Sequence, residues 1–253
     1  MSFVNIKKLW IFALLSCLSW HSVSAEEHPF KLAPFILYEQ SPERIVVDGV
    51  STKYGLGILG GETKLPLGGK YASFLRLGLG YNNNQSVSFS GANFEGAVLG
   101  GFAELRIERD IGQVQDINFG VEGIVAHRHL RADDLDGERN GLELKGESTS
   151  SISSFDTLIT ADFDLSNKTS LGASFGGGYW NLKADASAVY STNGVTATAR
   201  KSIDTTGFDP LISVFMDHKT NGSNLLFKLS HRSLHSKANT SIISGELLWK
   251  FAF

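Results

Sequence analysis

The stretch that most limits how this chain can fold is "YASFLRLGLGY", residues 71–81. Side chains of an extended strand alternate between two faces. Tyr71, Leu75, Leu77, Leu79 and Tyr81 therefore share one face, with Ser73 between them, and Ala72, Phe74, Arg76, Gly78 and Gly80 share the other. One face is apolar with an aromatic near each end. The other is small or charged. A tilted strand of about 9–11 residues crosses a bilayer, and Tyr and Trp favour its two interfaces.

The alternation recurs along the chain. Ile117, Phe119, Val121 and Val125 oppose Asn118, Gly120 and Glu122. Phe155, Thr157, Ile159, Ala161, Phe163 and Leu165 oppose Asp156, Thr160 and Asp162. Leu171, Ala173, Phe175 and Tyr179 oppose Gly172, Ser174, Gly176 and Gly178. Phe208, Ile212, Val214 and Met216 form a less regular set, and Leu225, Phe227 and Leu229 oppose Lys228, Ser230 and Arg232. Weaker strands are expected at 30–40, 51–61 and 94–108. The expected fold class is all-β: a transmembrane antiparallel β-barrel of about ten strands (eight to twelve), preceded by a cleaved signal peptide. An even count puts both termini at the end that carries the short turns.

Short connections are expected near 62–70, 109–116, 166–169 and 219–224, and long polar ones near 82–93, 128–151 and 183–206. Asn193-Gly194 is a type I′ hairpin signal within the last of these and would extend strands beyond a membrane. Many of the 27 glycines lie within strands, as in "GLGILGG" and "SFGGG". Glycine weakens a water-soluble sheet, but on the lumen face of a small barrel it leaves room for large neighbours. A soluble periplasmic β-sandwich also alternates. The aromatic brackets, the strand lengths and the short–long loop rhythm argue against it.

The first 25 residues read differently. Lys7 and Lys8 precede the apolar run "LWIFALLSCL", and Val23 and Ala25 stand at the minus-three and minus-one positions of a cleavage site. That is the pattern of a secretory signal peptide at 1–25, leaving a barrel domain at 26–253. Cys17 after "LLS" also permits a lipoprotein reading. Removing 25 residues of the 253, with two lysines, leaves 228 residues and a formal charge of −5. A mildly acidic chain is a poor nucleic-acid binder. Cys17 is the only cysteine, so the mature chain has no disulfide or thiolate metal site.

The end of the chain, "SGELLWKFAF", alternates to its last residue. A signal peptide, period-two strands and a terminal Phe resemble Gram-negative outer-membrane β-barrel proteins. The small OmpA-like and opacity-type barrels look nearest, although they typically have eight strands. In that superfamily the last strand carries the signal read by the barrel assembly machinery, and Gly245, Leu247, Trp249, Phe251 and Phe253 match its pattern. The resemblance implies residence in the outer membrane, contact with its lipid and lipopolysaccharide, and no cofactor. The last strand is expected to pair with the first. The function expected is non-enzymatic, structural or surface-interacting through exposed loops. The alternative is a narrow, porin-like solute channel.

Arg76, Glu104, Arg106, Glu122, Asp156, Asp162, Asp217, Lys228, Arg232, Glu246 and Lys250 fall on the lumen face. An unpaired buried charge is costly, so a narrow barrel is expected to fill its interior with paired ones. Mixed charge could equally line a channel. Asp133, Asp134 and Asp136 are clustered, but the full spacing of a calcium loop is absent. His127 and His129 share a strand face, which alone is a weak metal signal. "SHRSLHS" is similar to part of the lipid A deacylase barrels, which use a serine nucleophile, a histidine base and an orienting acid. The resemblance would assign Ser233, His231 and Glu246 to those roles. Leu234, His235 and Ser236 depart from the residues that normally follow that serine. Strict alternation also puts His231 on the lipid face and Glu246 in the lumen.

Overall fold

The computed structural model describes residues 32–65, 71–139, 142–192, 195–234 and 240–251. The expected leader with Cys17, the Asn193-Gly194 pair, His235, Ser236 and Phe253 lie outside the described residues. Among the described residues twelve strands form one sheet: β1 (Leu32–Gln40), β2 (Ile45–Val47), β3 (Val50–Lys53), β4 (Gly55–Leu65), β5 (Tyr71–Phe89), β6 (Ala92–Val114), β7 (Ile117–Arg139), β8 (Leu142–Ser166), β9 (Thr169–Thr192), β10 (Val195–Thr220), β11 (Ser223–Ser233) and β12 (Ser241–Phe251). Ten of them, β1 and β4 to β12, close into an antiparallel ring. β1 pairs with β12 from Phe35↔Leu248 to Gln40↔Ile243 and with β4 from Leu32↔Thr63 to Gln40↔Gly55. Closure removes the free edges that an open sheet would expose. The last strand pairs with the first, as expected.

The outward face carries the apolar residues. Leu77, Leu79, Leu99, Phe155, Ile159, Phe175, Phe208, Val214 and Leu229 are each more than half exposed. A contiguous apolar surface of that extent on a closed sheet is what lipid covers. Aromatics rim it. Tyr38 and Tyr81 both pair with Gly57, and Phe155, Tyr179 and Phe208 form one row across β8, β9 and β10. Near the other rim, Tyr71 accepts a hydrogen bond from Arg109 at 3.2 Å and lies under its guanidinium.

The wall is uneven. β1, β4, β11 and β12 have 9–11 residues, enough to cross a bilayer, whereas β6 to β10 have 23–26. The extra length corrects the expected long loops at 82–93, 128–151 and 183–206. Across most of these ranges the chain continues as strand. Their outward residues face water, so the segments read as polar. Their inward residues, such as Leu130, Leu144, Ala186 and Ile203, are buried. The expected strand at 51–61 is also corrected: a separate hairpin, β2–β3, precedes β4, and β3 docks on the upper part of β5 through Ser51↔Ser88 and Lys53↔Ser86. Its turn, Asp48-Gly49, has positive φ at both residues (48° and 79°), the geometry of a type I′ turn.

Register shifts let one strand serve both zones. Between Ala132 and Leu135 β7 gains one residue over β8. The inward set, Ile124 to Ala132 on even numbers, changes to Leu135, which is fully buried. A similar shift between Asn82 and Gln85 turns Val87 and Phe89 inward. Two prolines sit where the ladder allows them. Pro34 is one residue before the first β1–β12 pair, and Pro210 is one residue before the first β10–β11 pair.

Candidate functional site

The lumen is crossed by an ion-pair layer centred on Arg76. Its Nε lies 2.6 Å from Glu62 Oε2, its Nη1 3.3 Å from Glu104 Oε1 and its Nη2 2.7 Å from Glu246 Oε1. Arg106 shares Glu62 at 2.6 Å and adds Glu122 at 3.5 Å and Glu108 at 3.3 Å. Lys228 and Lys250 complete it, at 3.7 Å from Glu122 and 3.3 Å from Glu62. Phe74 lies beneath both Arg106 and Lys250. β4, β5, β6, β7, β11 and β12 each contribute, so the layer ties the ring across its interior as well as around its wall.

An aromatic column rises from this layer. Arg76 packs over Phe35 (5.5 Å to the ring centroid), Phe35 meets Phe102 edge-on (5.9 Å), and Arg128 packs over Phe102 (5.1 Å). Arg128 then grips Glu39 with two bonds, Nε to Oε2 at 2.8 Å and Nη2 to Oε1 at 2.5 Å. Tyr54 donates its hydroxyl to Glu39 Oε2 at 2.6 Å. Tyr54 lies between β3 and β4, immediately before Gly55, and burial followed by the adjacent Glu39 carboxylate pushes its phenol well above the ordinary value. It stays a donor. On the facing wall Arg232 pairs with Asp156, and Trp180 donates to Asp209 at 2.8 Å.

Above the plug the interior opens into a chamber of about 190 Å³. Its walls are largely apolar: Leu37, Val87, Leu130, Ile152, Trp180 and Ile203 contribute. Its floor is polar, with Arg76, Glu246, Lys228, Arg128, Asp156 and Arg232. An apolar enclosure with a few convergent polar groups is the usual form of a small-molecule site.

Most of the charges read from the sequence as lumenal meet in these two layers. Asp162 is a correction. It lies near the end that carries the termini, pairs with Asn118 and accepts its Nδ2 at 3.2 Å, outside the network. Asp217 is half-buried, and no ion pair joins it to the Arg76 layer among the described residues. Glu39, Tyr54, Glu62, Glu108 and Arg128 are absent from the sequence-derived set. Glu62 sits in what reads as a turn, and Arg128 at the start of what reads as a loop. Extending the alternation by one step would find both: Leu56, Ile58, Gly60, Glu62 and Ile124, Ala126, Arg128.

The hydrolase residues are not brought together. His231 is exposed on the outer face, Ser233 is buried at the end of β11, and Glu246 is opposite Lys228 with its carboxylate on Arg76. Five residues of strand, roughly 17 Å, separate the levels of Ser233 and Glu246. Asp133 and Asp136 are exposed and engaged with Arg131 and Lys145. Asp134 lies beside them in the β7 bulge, also exposed. His127 turns outward and meets Ser153 at 2.9 Å. Among the described residues no group of three or more His, Cys, Asp or Glu is placed to hold a metal ion. Of the expected assembly signal, Gly245, Leu247 and Trp249 lie on the lipid side of β12. Phe251 ends that strand, and Phe253 is outside the described residues.

No protein-family model matches the chain, and no curated protein sequence does. Solved structures do resemble it. The translocator domain of the autotransporter NalP from Neisseria meningitidis is 15% identical with a TM-score of 0.50, over 99% of this chain and 96% of that one. The outer membrane protease OmpT from Escherichia coli is 10% identical with a TM-score of 0.52, over 91% of this chain and 100% of that one. At such identities the likeness is one of fold, and neither protein's activity transfers with it. The closed ten-strand ring and its apolar outer belt give the chain the fold of a transmembrane antiparallel β-barrel, the fold it shares with these two outer-membrane proteins.

Proposed function

We propose that this protein is a non-conducting, non-enzymatic outer-membrane barrel that acts at the cell surface through the sheet projecting from its tall side. The observation that carries the reading is the Arg76 layer, where buried charges from six strands meet across the lumen. In barrels of this kind short turns face the periplasm and longer segments face outward. On that layout the upper halves of β5 to β10 and the β2–β3 hairpin stand outside the cell. Lipid and lipopolysaccharide contact the belt below them. The matching residues of β12 support delivery by the barrel assembly machinery.

A porin-like channel finds less support, because solute would have to break several paired charges to pass. A lipid A hydrolase finds none in the placement of His231 and Glu246. Planar-bilayer recording tests the proposal: the expected conductance is near zero. Steady ohmic steps from the purified protein would replace it with the channel. An epitope inserted between Arg139 and Leu142 should be labelled on intact cells, and labelling only after lysis would invert the orientation.

A further inference from the structure

The chamber above the plug reaches up the tall wall of the barrel. Its inward positions on β8 run from Asp156 up to Ser148. Eight residues of strand cover roughly 27 Å, so the enclosure is long and narrow. Leu130, Ile152, Leu182, Ala184 and Ile203 line its middle. At its foot Arg232 gives one guanidinium nitrogen, Nη2, to Asp156, while Nη1 is buried with no hydrogen-bond partner among the described residues. A buried donor left unmade is unfavourable, and an anion would satisfy it. The walls are lowest where β11, β12, β1 and β4 end. Above that line the outer edges of Ile45–Val47 on β2 and 195–210 on β10 have no strand partner among the described residues. A chain-like molecule could enter there without disturbing the plug.

We infer that the chamber binds a single-chain anionic amphiphile, its acidic head at Arg232 and its alkyl chain rising between Leu130 and Ile203. A linear chain matches the enclosure better than a compact ring system. Each buried methylene is expected to tighten binding by about fourfold.

Trp180, 3% exposed and in the chamber wall, is the reporter. With Trp10, Trp20 and Trp249 each changed to Phe, it is the only indole of the full chain. The protein is placed in phosphatidylcholine nanodiscs and titrated with 11-bromoundecanoate, whose bromine quenches indole on contact. The expected result is saturable quenching. Arg232→Gln should weaken it at least tenfold, as should Ala184→Phe, which narrows the chamber and leaves the Arg232–Asp156 pair in place. The neutral 11-bromoundecanol should also be at least tenfold weaker, whereas it would quench more strongly if the probe acted from the lipid. 11-Bromoundecyl phosphate carries the same chain, and whichever acid saturates first identifies the head group as carboxylate or phosphate. Non-saturable quenching, or an alcohol as potent as both acids, overturns the inference. If Arg232→Gln does not fold, the acid–alcohol comparison on the parent protein decides alone. Conductance is indifferent to either result, so the surface role stands or falls separately.

Discussion

Gly178 lies directly across the ladder from Asp156, and a methyl group built on Gly178 would come within 1.8 Å of the Asp156 carboxylate. The same methyl would sit 2.5 Å from the Phe155 carbonyl oxygen. Backbone cannot yield as a flexible side chain can. Gly178→Ala should therefore push Asp156 off Arg232 and destabilise the barrel by about 1–3 kcal/mol. Gly123 provides the contrast, since nothing lies within 4 Å of its added carbon. Urea titration of lipid-refolded protein should show Gly178→Ala shifted to lower urea and Gly123→Ala unmoved.

Gly178 also shows what alternation does and does not reveal. Period two puts it in the lumen opposite Asp156, but only the register shows that the two share a level. Ten ring strands are legible because lipid makes the outward face of each apolar. Where the outward face meets water, as at Lys183, Asp185 and Ser187, the contrast between faces weakens and the strand reads as loop. The plug is legible for the same reason as the belt: Arg76, Lys228 and Glu246 each interrupt an apolar strand. Glu39 and Arg128 lie where the apolar signal ends. The β2–β3 hairpin is too short for periodicity to register, although its Asp48-Gly49 turn is a direct signal. The chamber is a product of closure, and no local pattern encodes it.

Arg76 touches three glutamates and is 3% exposed. Removing one partner of a buried charge cluster leaves the others uncompensated, at about 3–5 kcal/mol. Arg76→Ala should therefore cost that order of stability. Lys183→Ala, which breaks an exposed pair with Asp204 at 3.4 Å, should cost under about 1 kcal/mol. The heat needed to convert the folded to the unfolded mobility on unboiled gels should fall sharply for the first and hardly for the second. Equal shifts would mean that the lumen is wet enough to screen the cluster.

Tyr54 gives a pH dependence with a definite sign. Its phenol is raised in the folded state, by burial and then by Glu39, so above about pH 10 the unfolded chain releases a proton that the folded chain keeps. Stability from this group is complete below the unfolded value and declines as pH rises beyond it, by up to about 1.4 kcal/mol per pH unit. Tyr54→Phe removes that slope. At neutral pH it should also cost roughly 1–3 kcal/mol, because Glu39 Oε2 loses its 2.6 Å donor. Unfolding midpoints for both proteins from pH 8 to 11 should converge as pH rises. Parallel curves would place the Tyr54 hydroxyl in contact with water.

The bulge of β7 separates two functions of one strand. Below it, even-numbered residues point inward and Val125 faces lipid; above it, Leu135 points inward and Asp133, Asp134 and Asp136 face water. Deleting Asp134 removes the extra residue and restores strict alternation. Ala132, Asp133 and Leu135 then follow as inward, outward and inward, so Leu135 keeps its buried place beside Gly96 and Asp136 stays in water. Asp134 is exposed and buries no side chain of its own, so its deletion should cost under about 1 kcal/mol. The membrane belt, built from residues below Ala132, is untouched by the change. The deleted protein should therefore insert, keep its heat-modifiable mobility and resist protease between Ala132 and Glu147 as the parent does. Loss of insertion would instead mean that the upper sheet forms before the belt and guides its register.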